Sequence, residues 1–270
     1  MPQSDTPLLV HFHIPKTAGT SLTRSLVRAF GDDRAFLTGR NGRTHRADTE
    51  YFAGLPPERQ ERYSLVAGHV EMFLLDSLQV DRFAFCFLRD PVERMVSMYY
   101  FVKNSPNHHL HRTLNENKLT LRAFLEAGLW HELDNGMCRR LSGVMGYVPY
   151  GGCTVEVLRL AVNNLFTEFN FFGFQERFDH SLYLLSELLG RRSLFLCGKS
   201  NKGTRKAVRE IDPQDREAVE RFNRLDMELY RMARSEFEEH FNPLLERKRQ
   251  EFDKLVLVRD RMKELDQHVF

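Results

Sequence analysis

A lysine and several small polar residues follow an apolar run near the start of the chain. The run Leu8–Phe12 reads LLVHF, and residues 13–22 read HIPKTAGTSL. This order predicts a buried strand, a tight turn and a helix. Backbone N–H groups in such a turn attract anions, and Lys16 adds a compact positive charge. The segment therefore predicts an anion-binding turn, with a helix cap beside a surface lysine as the alternative.

The turn differs in spacing from the phosphate loop of proteins that bind nucleoside triphosphates. That pattern has a glycine, four residues and then Gly-Lys-Ser/Thr. Here Lys16 precedes Gly19, and no glycine stands before the lysine in the turn. The ligand is therefore expected to be phosphate-like, but of a kind whose recognition puts the lysine first.

A second polar constellation lies in the segment RFAFCFLRDPVERMVSMYYF. Residues 83–88 are apolar and aromatic and predict a buried strand, and Asp90 is placed to cap the following helix. Arg89 stands at the strand end, with Arg94 and Ser97 on the helix. Two arginines and a hydroxyl could hold a second phosphate. A salt-bridged arginine and aspartate at a helix start is the alternative.

Strands that alternate with helices predict an α/β domain with a mostly parallel central sheet. Ligands bind such sheets outside the carboxyl ends of the strands. Three predicted strand ends carry polar residues, namely 15–21, His69 and Arg89. We therefore expect these residues to converge on one site.

The rest of the chain is predicted to alternate in the same way. Two polar stretches, 31–50 and 104–118, are expected to be loops. The expected helices cover 21–30, 119–127, 130–141, 155–164, 178–189 and everything beyond Pro213. The expected further strands cover 65–68, 169–174 and 193–197.

Composition indicates an ordinary globular protein. The 270 residues suit one substantial domain with a helical appendage, and 42% are hydrophobic against 28% charged. A net charge of +2 does not indicate a nucleic-acid partner. No run approaches the roughly 20 apolar residues of a membrane span, and the first residues lack the pattern of a secretory signal. We therefore expect a cytoplasmic protein.

Cysteines and histidines give no pattern typical of a metal site. The four cysteines form no Cys-x-x-Cys pair, and a bridge between Cys138 and Cys153 stays open although a reducing compartment argues against it. His108, His109 and His111 could ligate a metal, but no cysteine or carboxylate at ligand spacing supports this. A solvated loop, or a rim that meets an anionic acceptor, is favoured instead.

Two segments carry a family resemblance. HIPKTAGTSL and FLRDPVERMVSMYYF resemble the two cofactor-binding signatures of sulfotransferases that use 3'-phosphoadenosine 5'-phosphosulfate (PAPS). The closer resemblance is to the carbohydrate branch that includes heparan sulfate (uronyl) 2-O-sulfotransferase, in a bacterial-type form without a membrane anchor. It covers roughly residues 8–241. The family implies a P-loop-like three-layer α/β fold with a mostly parallel sheet, here over 1–212. A C-terminal helical extension, 213–270, would pack on that core or mediate dimerisation.

The resemblance also implies roles for individual residues. Lys16 would neutralise charge at the bridging oxygen as the sulfuryl group leaves, and Arg89 with Ser97 would bind the 3'-phosphate. The residues implied to hold the 5'-phosphate are Thr17, Ala18, Gly19, Thr20 and Ser21. A basic loop over the nucleotide is implied at Lys202, Gly203, Thr204 and Arg205, with a solvated loop as the alternative.

The resemblance further implies a base and an acceptor-binding segment. The stretch AGHV resembles the segment that carries the catalytic histidine of the 2-O-sulfotransferases, so His69 is expected to be the general base. Some relatives use a glutamate, so Glu71 is the second candidate base, and it is also a candidate acceptor contact. DNGMCRRLSG resembles the family's acceptor-side segment, which makes Asn135, Arg139 and Arg140 candidate acceptor contacts; ordinary helix-surface arginines are the alternative.

The expected activity is in-line transfer of a sulfuryl group from PAPS to an acceptor hydroxyl, releasing PAP and requiring no metal. The acceptor would be a carbohydrate, a glycolipid or a small hydroxylated molecule. A nucleotide kinase or other NTPase and a non-catalytic PAP-binding scaffold are the alternatives. The apolar positions Leu255, Val258, Met262, Leu265 and Val269 follow coiled-coil spacing, which suits either dimerisation or packing on the domain.

Overall fold

The computed structural model describes residues 7–40, 42–196 and 211–268. Its centre is a five-stranded, all-parallel sheet in the order β2-β3-β1-β4-β5. The strands are β1 (Leu8–Phe12), β2 (Ala35–Leu37), β3 (Leu65–Gly68), β4 (Arg82–Leu88) and β5 (Phe171–Phe174). Most of their residues are buried, because helices cover both faces of a parallel sheet. The predicted α/β class is confirmed.

The register brings three strand ends together. Phe12 of β1 pairs with Gly68 of β3 on one side and with Cys86 of β4 on the other. The residues that follow these strands therefore leave the same edge of the sheet. That edge is where ligands bind in open parallel sheets.

Helices connect and cover the strands. In chain order they are α1 (Gly19–Phe30), α2 (His45–Ala53), α3 (Pro57–Gln60), α4 (Phe73–Ser77), α5 (Pro91–Asn104), α6 (His111–Glu116), α7 (Leu121–Glu126), the 3₁₀ helix η1 (His131–Leu133), α8 (Gly136–Leu141), α9 (Val155–Thr167), α10 (Phe178–Leu188), α11 (Arg192–Leu196), α12 (Pro213–Phe222), α13 (Arg224–His240), α14 (Asn242–Arg247) and α15 (Arg249–His268). Among the helices described, none combines the length and the apolar character needed to span a bilayer.

The helices beyond Asp212 pack into the same cores as the rest of the chain. Leu229 and Phe237 of α13 are fully buried in the main cluster around the sheet, where the Phe237 ring meets the Phe174 ring edge-on at 5.2 Å. Val219 of α12 belongs to a second cluster with α5 and α7. Farther on, Arg259 of α15 forms an ion pair with Asp179 of α10.

Two stretches that were expected to be loops contain secondary structure. Residues 31–50 include β2 and the start of α2, and 104–118 include α6. The side-chain oxygen of Thr44 accepts a hydrogen bond from the Ala47 amide and caps α2. Short elements in polar sequence are easily missed, because they lack a long apolar period.

Two other expectations about secondary structure are wrong. The helix expected over 130–141 is interrupted, because Asn135 adopts a left-handed conformation with φ of 48° between η1 and α8. The strand expected over 193–197 is the helix α11 as far as Leu196. Its Phe195 ring packs against Tyr183 and Phe252 rather than joining the sheet.

Candidate active site at the carboxyl edge of the sheet

The turn between β1 and α1 has an unusual backbone. Lys16 and Ala18 have φ angles of 69° and 72°, in the left-handed region that non-glycine residues rarely occupy. Buried Thr17 donates its hydroxyl hydrogen to the Ile14 carbonyl at 2.8 Å and ties the turn to the strand. Thr17 between them does not have a positive φ, and such alternation within a turn allows successive backbone N–H groups to face one ligand.

The helix that follows the turn leaves its N-terminal amides available. No side chain in the described residues caps α1 at Ala18, and its first turn contains no acidic residue. The first N–H groups of a helix have no partner within the helix, and they carry partial positive charge. Thr20 is exposed and Ser21 is half-buried at this end. The turn and the helix start thus fit an anionic group such as phosphate.

Two arginines of the second motif hold the turn by its carbonyl oxygens. Arg89 donates from Nη1 to the Lys16 carbonyl at 3.0 Å, and Arg94 donates from Nε to the Pro15 carbonyl at 3.1 Å. Both arginines therefore fix the backbone of the turn at Pro15 and Lys16. Arg89 also contacts Glu93, one turn before the half-buried Ser97 on α5.

The Arg94 side chain lies inside the protein and has different partners from Arg89. The Arg94 guanidinium is fully buried and forms ion pairs with Glu132 and, at 3.7 Å, with Asp226. The expectation that Arg89 and Arg94 together grip a second phosphate is therefore wrong for Arg94, which braces the turn from inside the protein.

His69 lies directly beside the turn. Its Nδ1 is 2.7 Å from the carbonyl oxygen of His13, which can only accept a hydrogen bond. Nδ1 therefore carries the proton and Nε2 carries the lone pair. The ring stacks on His13 at 4.5 Å between centroids and meets His45 edge-on at 4.7 Å.

The surroundings keep His69 neutral. Burial and then the charge of Arg140 lower its pKa to about 3, against the smaller opposing effect of the bond to His13. Burial also lowers the pKa of His13 well below its usual value. A neutral imidazole with a free lone pair is the state that a general base needs. Burial also raises the pKa of Glu71, the second candidate base, above its usual value.

Gly19 makes the contact between α1 and the histidines possible. A Cβ atom at this position would lie 1.8 Å from Cδ2 of His13. The backbone at the start of α1 therefore packs directly against the His13 ring, which in turn stacks on the His69 ring. His13 and His45 were not singled out from the sequence; His13 stands inside the quoted motif, but the contact with His69 could not be read from spacing.

Of the four candidate acceptor residues, Glu71 is two residues from His69 and Arg140 acts on the pKa of His69. Arg140 bonds to Glu132 and its charge lowers the pKa values of His69, His13 and His45. Asn135 is buried and accepts hydrogen bonds from the Leu225 and Asp226 amides.

Arg139 has no exposed side-chain surface and bonds to Asp134 and to the carbonyls of Val148 and Pro149. The structure gives Asn135 and Arg139 internal contacts instead of the acceptor contacts expected from the sequence. Lys202, Gly203, Thr204 and Arg205 lie outside the described residues.

The lysine of the turn points along α5. Its Nζ lies 4.1 Å from the centroid of the Phe101 ring. His108 contacts Phe101, and His108 and His109 both contact Trp130. These histidines thus pack with aromatic rings near the turn.

The three cysteines that the structure describes are not among the residues of the site. Cys86, Cys138 and Cys153 are free thiols, which answers the open question about a bridge between Cys138 and Cys153. Burial raises the pKa values of all three, so they are not activated nucleophiles.

Both motifs lie within the match to a known protein family. A family model described as the sulfotransferase family matches residues 3–233, which include both motifs, the whole sheet and most of α13. A search of curated proteins finds no match.

Proposed function

Because this chain belongs to the sulfotransferase family, we propose that it transfers a sulfuryl group from PAPS to an acceptor hydroxyl and releases PAP. The observation that carries the proposal is the hydrogen bond from His69 Nδ1 to the His13 carbonyl. It joins a neutral imidazole base to the anion-binding turn, two residues before Pro15. Donor binding and proton removal would then occur side by side.

The residues of the turn and of α5 fit the donor. PAPS would supply an activated sulfuryl group with a nucleotide as the leaving group. The amides of Thr17, Ala18, Gly19, Thr20 and Ser21 would bind the 5'-phosphate. Arg89, held against the Lys16 carbonyl, and Ser97, two turns along α5, would bind the 3'-phosphate.

The reaction would rest on positioning and electrostatics. His69 Nε2 would accept the proton of the acceptor hydroxyl while that oxygen forms its bond to sulfur. The Lys16 ammonium group would neutralise the negative charge that develops on the departing phosphate oxygen. In-line displacement of this kind balances without an external oxidant or reductant, and we propose that no divalent cation is required.

The acceptor is proposed to be a carbohydrate or glycoconjugate, with a small hydroxylated molecule as the alternative. The support is the resemblance of the His69 segment to the 2-O-sulfotransferases, together with the charged groups around the base. Arg140 and Glu71 are both partly accessible there. They could contact the hydroxyls or carboxylate of a sugar.

Calorimetric titration with PAP in EDTA tests the donor site. We expect wild-type protein to bind PAP with a dissociation constant on the order of micromolar. Lys16→Ala and Arg89→Ala should abolish this binding. Lys103→Ala, which removes an exposed cation from α5, is the control and should bind PAP as the wild type does.

A parallel titration with ATP, in magnesium instead of EDTA, separates the alternatives. Binding of ATP with magnesium, but not of PAP, would support an NTPase. For a PAP-binding protein, labelled PAPS and a panel of glycans then test transfer. His69→Ala should lower transfer by about 10²–10⁴-fold without changing PAP affinity. Unchanged activities in that variant would favour a scaffold.

A further inference from the structure

Glu132 joins two arginines that serve different parts of the site. It lies in η1, and its side chain has no exposed surface. One carboxylate oxygen, Oε1, pairs with Arg94 Nη2, and the other, Oε2, accepts a hydrogen bond from Arg140 Nε at 2.8 Å. The two oxygens of a single buried carboxylate are thus divided between two cations.

The first arginine leads to the anion-binding turn. Arg94 is fully buried and donates from Nε to the Pro15 carbonyl at 3.1 Å. A guanidinium group is a rigid fork, so fixing Nη2 on Glu132 also fixes the direction in which Nε points. The position of Glu132 is therefore transmitted to the residue that precedes Lys16.

The second arginine leads to the base. Arg140 has only 12% of its side chain exposed, and its charge acts on His69. Other titratable groups around His69 are His13 and His11 from the β1 segment, His45 of α2, and Glu71, two residues after His69. Among these neighbours, Arg140 is the one whose charge changes the pKa of His69 most. The placement of Arg140 therefore affects the electrostatics of the proposed base directly.

We propose that Glu132 is a positioning residue that couples the phosphate-binding turn to the catalytic base, through Arg94 on one side and Arg140 on the other. The inference rests on the function proposed above. Buried ion pairs are not needed for stability as such, since apolar groups of the same shape often serve as well. A carboxylate shared between the turn and the base instead fixes their relative geometry.

The substitution Glu132→Gln tests the shared carboxylate. An amide offers one oxygen and one NH₂ group, so it can accept from one arginine but presents a donor to the other. We expect faster hydrogen exchange at the amides of residues 16–21 and a roughly tenfold weaker affinity for PAP. We also expect a shifted ring resonance of His69 in NMR spectra.

Glu168→Gln is the matched control. Glu168 pairs with Arg82 at the first residue of β4, at the opposite edge of the sheet. Its loss should leave the turn, the His69 resonance and PAP affinity unchanged. If Glu132→Gln matches the wild type in all three readouts, or if both variants change them equally, the inference is overturned. If the wild type binds no PAP, the proposed function fails, while exchange at the turn still tests the coupling.

Two further measurements test the inference even if Glu132→Gln fails to fold. Arg94→Lys keeps the charge, but a single nitrogen cannot bond to both Pro15 and Glu132 with the geometry of the fork. It should raise exchange at residues 16–21 as Glu132→Gln does. In the wild type, PAP should slow exchange at residues 131–140, since coupling between sites is reciprocal. Unchanged exchange there would overturn the inference without any substitution.

Discussion

A single hydrogen bond defines the chemistry of His69. Because Nδ1 donates to the His13 carbonyl, the ring cannot present a donor at Nε2 unless it becomes charged. Burial and Arg140 oppose that charge. The role of His69 as a base stays a prediction from the sequence, whereas its low pKa depends on neighbours from the β1 segment, α2 and α8, which only the fold brings together.

The low pKa of His69 predicts an unusual pH dependence. His69, the proposed base, stays neutral as pH falls towards 5. The value of kcat/KM for PAPS, which reports ionisations of the free enzyme, should therefore not decrease as pH falls through 6.5. Arg140→Gln removes a positive charge that lowers the pKa of His69. Any decrease of kcat/KM in acid should therefore begin at a higher pH in this variant than in the wild type. Rates between pH 5 and 8 check this. A decrease that begins at 6.5 or above in the wild type would contradict it.

Elements with a strong local signal could be predicted, and those set by tertiary contacts could not. β1, β3 and β4 are short apolar runs, and Asp90 caps α5 as its sequence predicts. The break before α8 was missed because Asn135 is held by the amides of Leu225 and Asp226, some 90 residues later in the chain. Arg94 was misjudged for the same reason, since its partners Glu132 and Asp226 are distant in sequence.

The cap of α5 should affect stability and donor binding together. Asp90 accepts a hydrogen bond from the Glu93 amide at 2.9 Å, and Glu93 in turn contacts Arg89. Asp90→Ala should cost about 1 kcal/mol of unfolding free energy and weaken PAP binding. Urea unfolding and calorimetry measure the two effects.

Thr120→Ala is the control for that prediction. Thr120 caps α7 through the Ala123 amide in the same way. Its loss should cost a similar free energy and leave PAP affinity unchanged. Equal affinities for PAP in both variants would show that the cap does not act on the donor site.

The start of α1 tolerates no side chain at Gly19. Alanine would bring Cβ into the His13 ring and force the helix or the histidine stack to move. Gly19→Ala should destabilise the protein by about 1–3 kcal/mol, as overpacking does, and should weaken PAP binding. Gly54→Ala, whose Cβ would be 3.4 Å from the Glu50 carbonyl at the end of α2, is the control. Wild-type affinity in Gly19→Ala would contradict the tight contact.

At the scale of the whole molecule, the C-terminal helix α13 contacts residues that hold the candidate site in place. Asp226 of α13 accepts hydrogen bonds from the Met137 and Cys138 amides at the start of α8 and also lies near Arg94. The sequence predicted helices there and left open whether they pack on the core or mediate dimerisation; Val219 of α12 and Leu229 and Phe237 of α13 are buried in the two hydrophobic clusters. Leu257, Val258 and Met262 of α15 remain exposed, so pairing of copies through this helix stays a prediction.

The buried histidines should make the whole fold sensitive to acid. Burial lowers the pKa of His11 to about 3, whereas in the unfolded chain it is near 6.5. Between these values the unfolded state binds one more proton, so stability is lost as pH falls below 6.5. His13 and His69 act in the same direction. The carboxyls whose pKa values are raised by burial, Glu71, Glu176 and Asp226, act in the opposite direction.

His11→Phe isolates one of these protons. The His11 ring stacks on Phe85, and its buried Nε2 has no hydrogen-bond partner among the described residues, but its Nδ1 lies 3.1 Å from Thr23 Oγ1. The variant should lose about 1 kcal/mol at every pH with that hydrogen bond and, relative to this offset, gain about 1.4 kcal/mol per pH unit on acidification below 6. Urea unfolding between pH 5 and 7.5 measures the slope. Parallel curves for His11→Phe and wild type would mean that His11 is protonated in the folded protein.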